Sequence, residues 1–140
     1  MKFILSGDTH GTFDLDKIIT FFQKQNTTYT KEDYLIICGD TGICGYSETE
    51  ETKVRHILRN LPVTTLFIDG NHEDFKKLNP FPVKKWHGGN VHFIEKDIIH
   101  LMRGQIFNLG GITFFTFGGA YSPDTVSYTH LRAHETLRHL

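Results

Sequence analysis

Three times in the first half of the chain, an apolar run ends in glycine followed by a side chain that can bind a metal: KFILSGDTHG, YLIICGDTG and TTLFIDGNHE. Short, nearly continuous apolar runs suit strands buried on both faces. The segments between them are helical. In FDLDKIITFFQKQN, Leu15, Ile18, Ile19 and Phe22 form one stripe, with Asp14 as the expected N-cap. In SETEETKVRHILRNLP, Val54, Ile57, Leu58 and Leu61 form another. Ser47 and Glu50 read there as a capping box, and Pro62 as the stop. The order strand–helix–strand–helix–strand predicts an α/β fold with right-handed parallel crossovers. Such sheets bind ligands beyond the carboxyl ends of their strands. That edge receives Asp8, His10, Asp40, Asn71 and His72.

Carboxylate, imidazole and amide together suit divalent metals such as Mn, Fe or Zn. A carboxylate on a central strand can bridge two ions, a common arrangement for phosphoryl transfer to water. Singly, each of these residues is an ordinary turn residue after a strand, and only the ordered set carries a signal. After residue 75 the pattern changes. NPFPVKKWHGG reads as an irregular connection. VHFIEKDIIHLMRG and QIFNLGGITFFTFGGA read as antiparallel strands, the last pair turning at Gly110–Gly111.

GDTHG, GDTG and GNHE, in that order, resemble the calcineurin-like metallophosphoesterases, and the resemblance covers residues 1 to about 124. It implies an α/β/β/α sandwich, C-terminally truncated in this chain. It implies two divalent metal ions, Mn, Fe or Zn. Asp8 and His10 would bind the first, Asp40 would bridge both, and Asn71 would bind the second. His72 would protonate the leaving alcohol or stabilise the transition state. The implied reaction is hydrolysis of a phosphomonoester or phosphodiester. Two departures stand out. Many members carry a second acid three residues after the aspartate of GD, where this chain has Ile43, so His72 needs another partner such as Glu73. The family also completes its site with a Gly-His-x-His, which is absent here.

The last histidines do not supply it. His130 and His134 have helical i,i+4 spacing, but HETLRH misses the H-E-x-x-H pattern by one residue. VSYTHLRAHET is what one reading frame of a transposase sequencing adapter encodes. Residues 1–125 are therefore read as the N-terminal part of a metallophosphoesterase domain and 126–140 as a non-native tail.

The remaining features are read conservatively. His56 is a surface residue, His87 a loop residue, His92 and His100 structural, and Arg103 a salt-bridge partner rather than a phosphate contact. Cys38 and Cys44 lack zinc-ligand spacing and are read as thiols in a reducing cytoplasm. A net charge of −1 gives no electrostatic case for nucleic acid as the main partner, although it stays open as a substrate. The chain opens with no signal peptide, and no apolar run reaches membrane-spanning length. The sum is the N-terminal portion of a cytoplasmic enzyme of unspecified oligomeric state acting on a phosphate ester, and the 140-residue chain, lacking the Gly-His-x-His ligands, is expected to be inactive or feebly active by itself. The rivals are a non-catalytic scaffold of the same fold and a Rossmann-like nucleotide module. The latter is disfavoured because no G-x-G-x-x-G follows a strand.

Overall fold

The computed structural model describes residues 1–118 except Asp8, Phe13 and His72. The stretch read as a tail lies outside the described residues. Five of the expected elements form: β1 (Phe3–Ser6), α1 (Leu15–Lys24), β2 (Tyr34–Cys38), α2 (Glu48–Arg59) and β3 (Thr64–Ile68). They are followed by α3 (Phe75–Leu78), β4 (Val83–Trp86), β5 (Gly89–Glu95), β6 (Ile98–Leu101), β7 (Gln105–Leu109) and β8 (Ile112–Thr116). The first six strands make one sheet, in the order β1-β2-β3-β6-β5-β4, and β7 and β8 make a separate hairpin.

Helices cover one face of the sheet and the hairpin covers the other. Leu35, Ile37 and Phe67 point to the helical side and pack with Leu15, Ile18, Val54 and Leu58. The alternate residues Tyr34, Ile36 and Leu66 pack with Phe107 and Leu109 of the hairpin. One central strand thus feeds two cores, which is why its sequence is apolar throughout. The result is a mixed α/β fold whose helix, sheet and second-sheet layers agree with the sandwich expected from the sequence.

Several local expectations need correction. β1 is an edge strand among the described residues, and Leu5 is 69% exposed rather than buried. Asp14 makes no side-chain cap; its carboxylate instead pairs with Lys17 at 3.2 Å. The capping box is half made. Ser47 accepts from the Glu50 amide at 3.2 Å, but the Glu50 carboxylate leaves the helix for Thr12, accepting from its amide at 3.0 Å and its hydroxyl at 2.7 Å. The connection after residue 78 contains β4, joined to β5 by a tight turn in which His87 and Gly88 both have positive φ, 49° and 96°. That geometry belongs to a two-residue hairpin.

The most consequential difference is β6. It pairs antiparallel with β5, as its sequence suggests, but parallel with β3 on its other side. Its carboxyl end therefore opens on the same edge as those of β1, β2 and β3.

Phe107 holds the hairpin to the sheet. It is fully buried and lies where a β-carbon on Gly89 would clash with its ring. Phe107→Ala should cost about 3–5 kcal/mol in urea unfolding, the usual range for a large aromatic removed from a core. A loss below about 1 kcal/mol would show that the two sheets do not depend on this contact.

Candidate metal centre

The loops after β1, β2 and β3 touch backbone to backbone. The His10 amide donates to the Asp40 carbonyl at 2.7 Å, the Gly11 amide to the Thr41 carbonyl at 3.3 Å, and the Gly39 amide to the Ile68 carbonyl at 2.9 Å. Two glycines make this approach possible. A β-carbon at Gly42 would strike the backbone of Gly11, and one at Gly70 would strike the Asp40 carboxylate. His10, Asp40 and the Gly70–Asn71 turn are thereby gathered at one place. Asp8 and His72, the other two residues expected here, lie outside the described residues.

His10 and Asp40 share an unusual backbone. Both have positive φ, 48° and 47°, without being glycine. Left-handed residues of this kind cost energy and concentrate at functional sites, where neighbouring structure enforces them. Here the acids at the start of α2 enforce them. Glu50 holds Thr12 at the end of the first loop. Buried Glu51 accepts from the amides of Gly45 and Tyr46 in the second loop, at 2.8 and 3.0 Å, and from Lys77 at 2.9 Å. The Tyr46 hydroxyl in turn lies 3.3 Å from His10 Nδ1.

Asp40 is only 4% exposed. Near it lies Glu73, also buried, whose Oε1 accepts from the Thr41 amide at 2.9 Å. Its Oε2 has no hydrogen-bond partner. Burial, aided by the negative charges of Asp69 and Asp40, pushes the Glu73 carboxyl up to about 8, so it is protonated at neutral pH. Glu73 spends its bonding on Thr41 in the neighbouring loop. Ile43, the departure from the family pattern, is fully buried in the helical core.

A second cluster stands beside the first, unforeseen as a group. Asp69, 1% exposed, accepts from His100 Nε2 at 2.8 Å and from Arg103 Nε at 2.6 Å. Burial opposes its charge, but these two donors outweigh burial and hold the carboxyl below its ordinary value. With His100 donating through Nε2, its Nδ1 meets His92 Nδ1 at 2.9 Å. Burial lowers the pKa of His92 and favours its neutral ring. Arg103 also lies over the Phe75 ring, 5.2 Å from its centre. A cavity of about 230 Å³ opens between Phe75, Asn79, His92 and Arg103. His92 and His100 are structural and Arg103 forms a salt bridge, as the sequence suggested. What the sequence hid is that His100 and Arg103 meet at Asp69, two residues before Asn71, with His92 behind His100.

Of the other histidines, His56 and His87 are exposed and away from these loops, His56 bonding Asn60 within its own helix at 3.2 Å. Cys38 is exposed. Cys44 is buried, and burial pushes its thiol up to about 12, which suits an inert core residue.

The donor set suits a hard or borderline divalent ion. The excess of buried acid around Asp40 would also be offset by a cation there. Among the described residues, however, no three His, Cys, Asp or Glu side chains converge closely enough to hold an ion by themselves. No helix among them is long and apolar enough to cross a membrane.

A family profile described as calcineurin-like phosphoesterase matches residues 1–139. Among curated proteins, the chain is similar to lariat debranching enzyme A of Xenopus laevis, 29% identical over 130 residues, covering 81% of this chain and 23% of that protein. It is also similar to the lariat debranching enzyme of Danio rerio, 29% identical over 157 aligned positions, covering 94% of this chain and 27% of that protein. The chain thus spans about a quarter of the length of these relatives. No solved structure matches.

Left-handed backbone at a non-glycine residue costs roughly 1–2 kcal/mol, less for aspartate. Asp40 also adds negative charge beside Glu73. In EDTA, Asp40→Gly should therefore unfold at the same denaturant concentration as the parent or a higher one, with a gain of up to about 1 kcal/mol. A clear loss of stability would show that the Asp40 side chain serves the fold rather than a ligand.

Proposed function

Because the chain belongs to the calcineurin-like phosphoesterase family, we propose that it carries the metal-binding half of a site that hydrolyses a phosphomonoester or phosphodiester. Asp8 and His10 would hold one divalent ion and Asn71 a second, with Asp40 shared between them. Manganese, iron and zinc all suit these donors. Two such ions supply Lewis-acid stabilisation of the phosphoryl oxygens and a water acidic enough to attack phosphorus at neutral pH.

The single observation that supports this reading best is the meeting of His10, Asp40 and the Gly70–Asn71 turn, two of them held in left-handed backbone. A fold gains nothing from strain at two adjacent loop tips, whereas ligands must be aimed. The chain's own groups divide the remaining work. Asp40, buried and centrally placed, would offer its carboxylate where the cations bind. Glu51 and Glu50 hold the two loops still, so that binding an ion requires little reordering. His72 would pass a proton to the departing alkoxide oxygen, which matters most when that alcohol is a poor leaving group. Two relatives are named for debranching lariats, and that keeps a branched substrate among those to assay.

The test pairs turnover with metal content. p-Nitrophenyl phosphate and bis(p-nitrophenyl) phosphate report monoester and diester hydrolysis, and titration calorimetry with Mn²⁺ reports binding. Asp40→Asn should abolish turnover and lower bound metal further than Asn71→Ala does, because an amide cannot neutralise two cations. An Asp40→Asn protein with near-parental rate and metal content would contradict the assignment.

A further inference from the structure

The Asp69 cluster is unassigned by the reading above, yet its carboxylate is 1% exposed and carries two ionic partners. Asp69 occupies the last position before the Gly70–Asn71 turn. Its side chain is fixed from two sides, by His100 at the end of β6 and by Arg103 just beyond it. Its main chain is fixed from two more. Gly118, arriving from β8, packs so closely that a β-carbon there would strike the Asp69 carbonyl, and Gly70 lies against the Asp40 carboxylate. His92 backs His100 from β5, its ring stacked parallel at 6°. β6 and a returning chain therefore converge on one residue, with β5 behind them, and neither donor to it comes from the strands that carry the expected ligands.

A buried ion pair is a poor way to stabilise a fold, because desolvation offsets most of its attraction. What it does well is fix direction. Two charge-assisted bonds at 2.6 and 2.8 Å leave the carboxylate little freedom to rotate. We propose that Asp69, clamped by His100 and Arg103, is a positioning residue: it sets the backbone at Gly70 and so aims Asn71 at the second metal ion. This rests on the two-ion reading above and adds to it that β6 and the segment after it, which contribute no ligand, govern one of the two ion sites selectively.

The experiment is a double-mutant cycle on metal binding in the full chain. Asp69→Asn keeps shape and removes charge, Asn71→Ala removes the ligand, and the double variant combines them. Free Mn²⁺, counted by its electron paramagnetic resonance signal, gives the affinity for each ion. At low temperature the spectrum distinguishes a spin-coupled pair from a single ion. Asp69→Asn should weaken the second ion about 10–100-fold, the usual effect of losing a partner that orients a ligand. It should leave the first ion unchanged and replace the coupled spectrum by a mononuclear one. The double variant should bind no more weakly than Asn71→Ala alone, since Asp69 acts through Asn71. Equal weakening of both ions, or losses that multiply in the double variant, would overturn the proposal and leave Asp69 a general support of the fold. No change in the second ion would overturn it as well. A parent protein that binds no second ion would overturn the two-ion reading and this inference together. Arg103→Gln, altering a partly exposed side chain, gives the same comparison if Asp69→Asn fails to fold.

Discussion

The closest constraint in this molecule is the contact of three loops at the carboxyl edge of the sheet, where Gly42 meets Gly11 and Gly70 meets Asp40 with no room for a β-carbon. Parallel strands lie a fixed distance apart, and loops leaving adjacent strands normally diverge. Here they come into backbone contact, and His10 and Asp40 at that contact take left-handed conformations. Everything around the edge serves to hold that arrangement. α2 sends Glu50 to one loop and Glu51 to the other, Lys77 of α3 reaches back to Glu51, and Asp69 anchors the third loop from behind.

The acids of this edge fall into distinct electrostatic roles. Asp69 is charged because two donors compensate it. Glu73, equally buried but bonded mainly to Thr41, is pushed toward its neutral form. A site with one compensated carboxylate, one neutral carboxyl and one buried acid nearby is arranged to accept positive charge at Asp40 rather than at its neighbours.

Much of this was legible in the sequence, and the failures have physical reasons. The strand and helix order followed from periodicity because each buried run has one period and each stripe another. Gly-Asp and Gly-Asn marked the strand ends correctly. β6 was read as an antiparallel strand, which it is toward β5, but its second partner was not specified because only β5 is local. Nothing in four apolar residues reveals that their other edge pairs with β3, more than thirty residues earlier. Asp69 was hidden for the same reason: its partners His100 and Arg103 arrive only through that pairing. β4 was missed although His87-Gly88 carries a recognisable turn signal, because Pro80 and Pro82 drew attention to a loop. Glu50 looked like a helix-capping acid and Glu51 carried no reading of its own, although both lie in the first turn of α2. Only the folded loops bring other amides within their reach. The positions of Asp8 and His72 lie outside the described residues, so their roles rest on the motif alone.

The central claim is that this edge holds two divalent ions with Asp40 between them. Anomalous diffraction from crystals grown with Mn²⁺ tests it without reference to any substrate. The account predicts two manganese peaks roughly 3.5–4 Å apart, both within bonding distance of the Asp40 carboxylate. A single peak, or two peaks of which one is remote from Asp40, would contradict it.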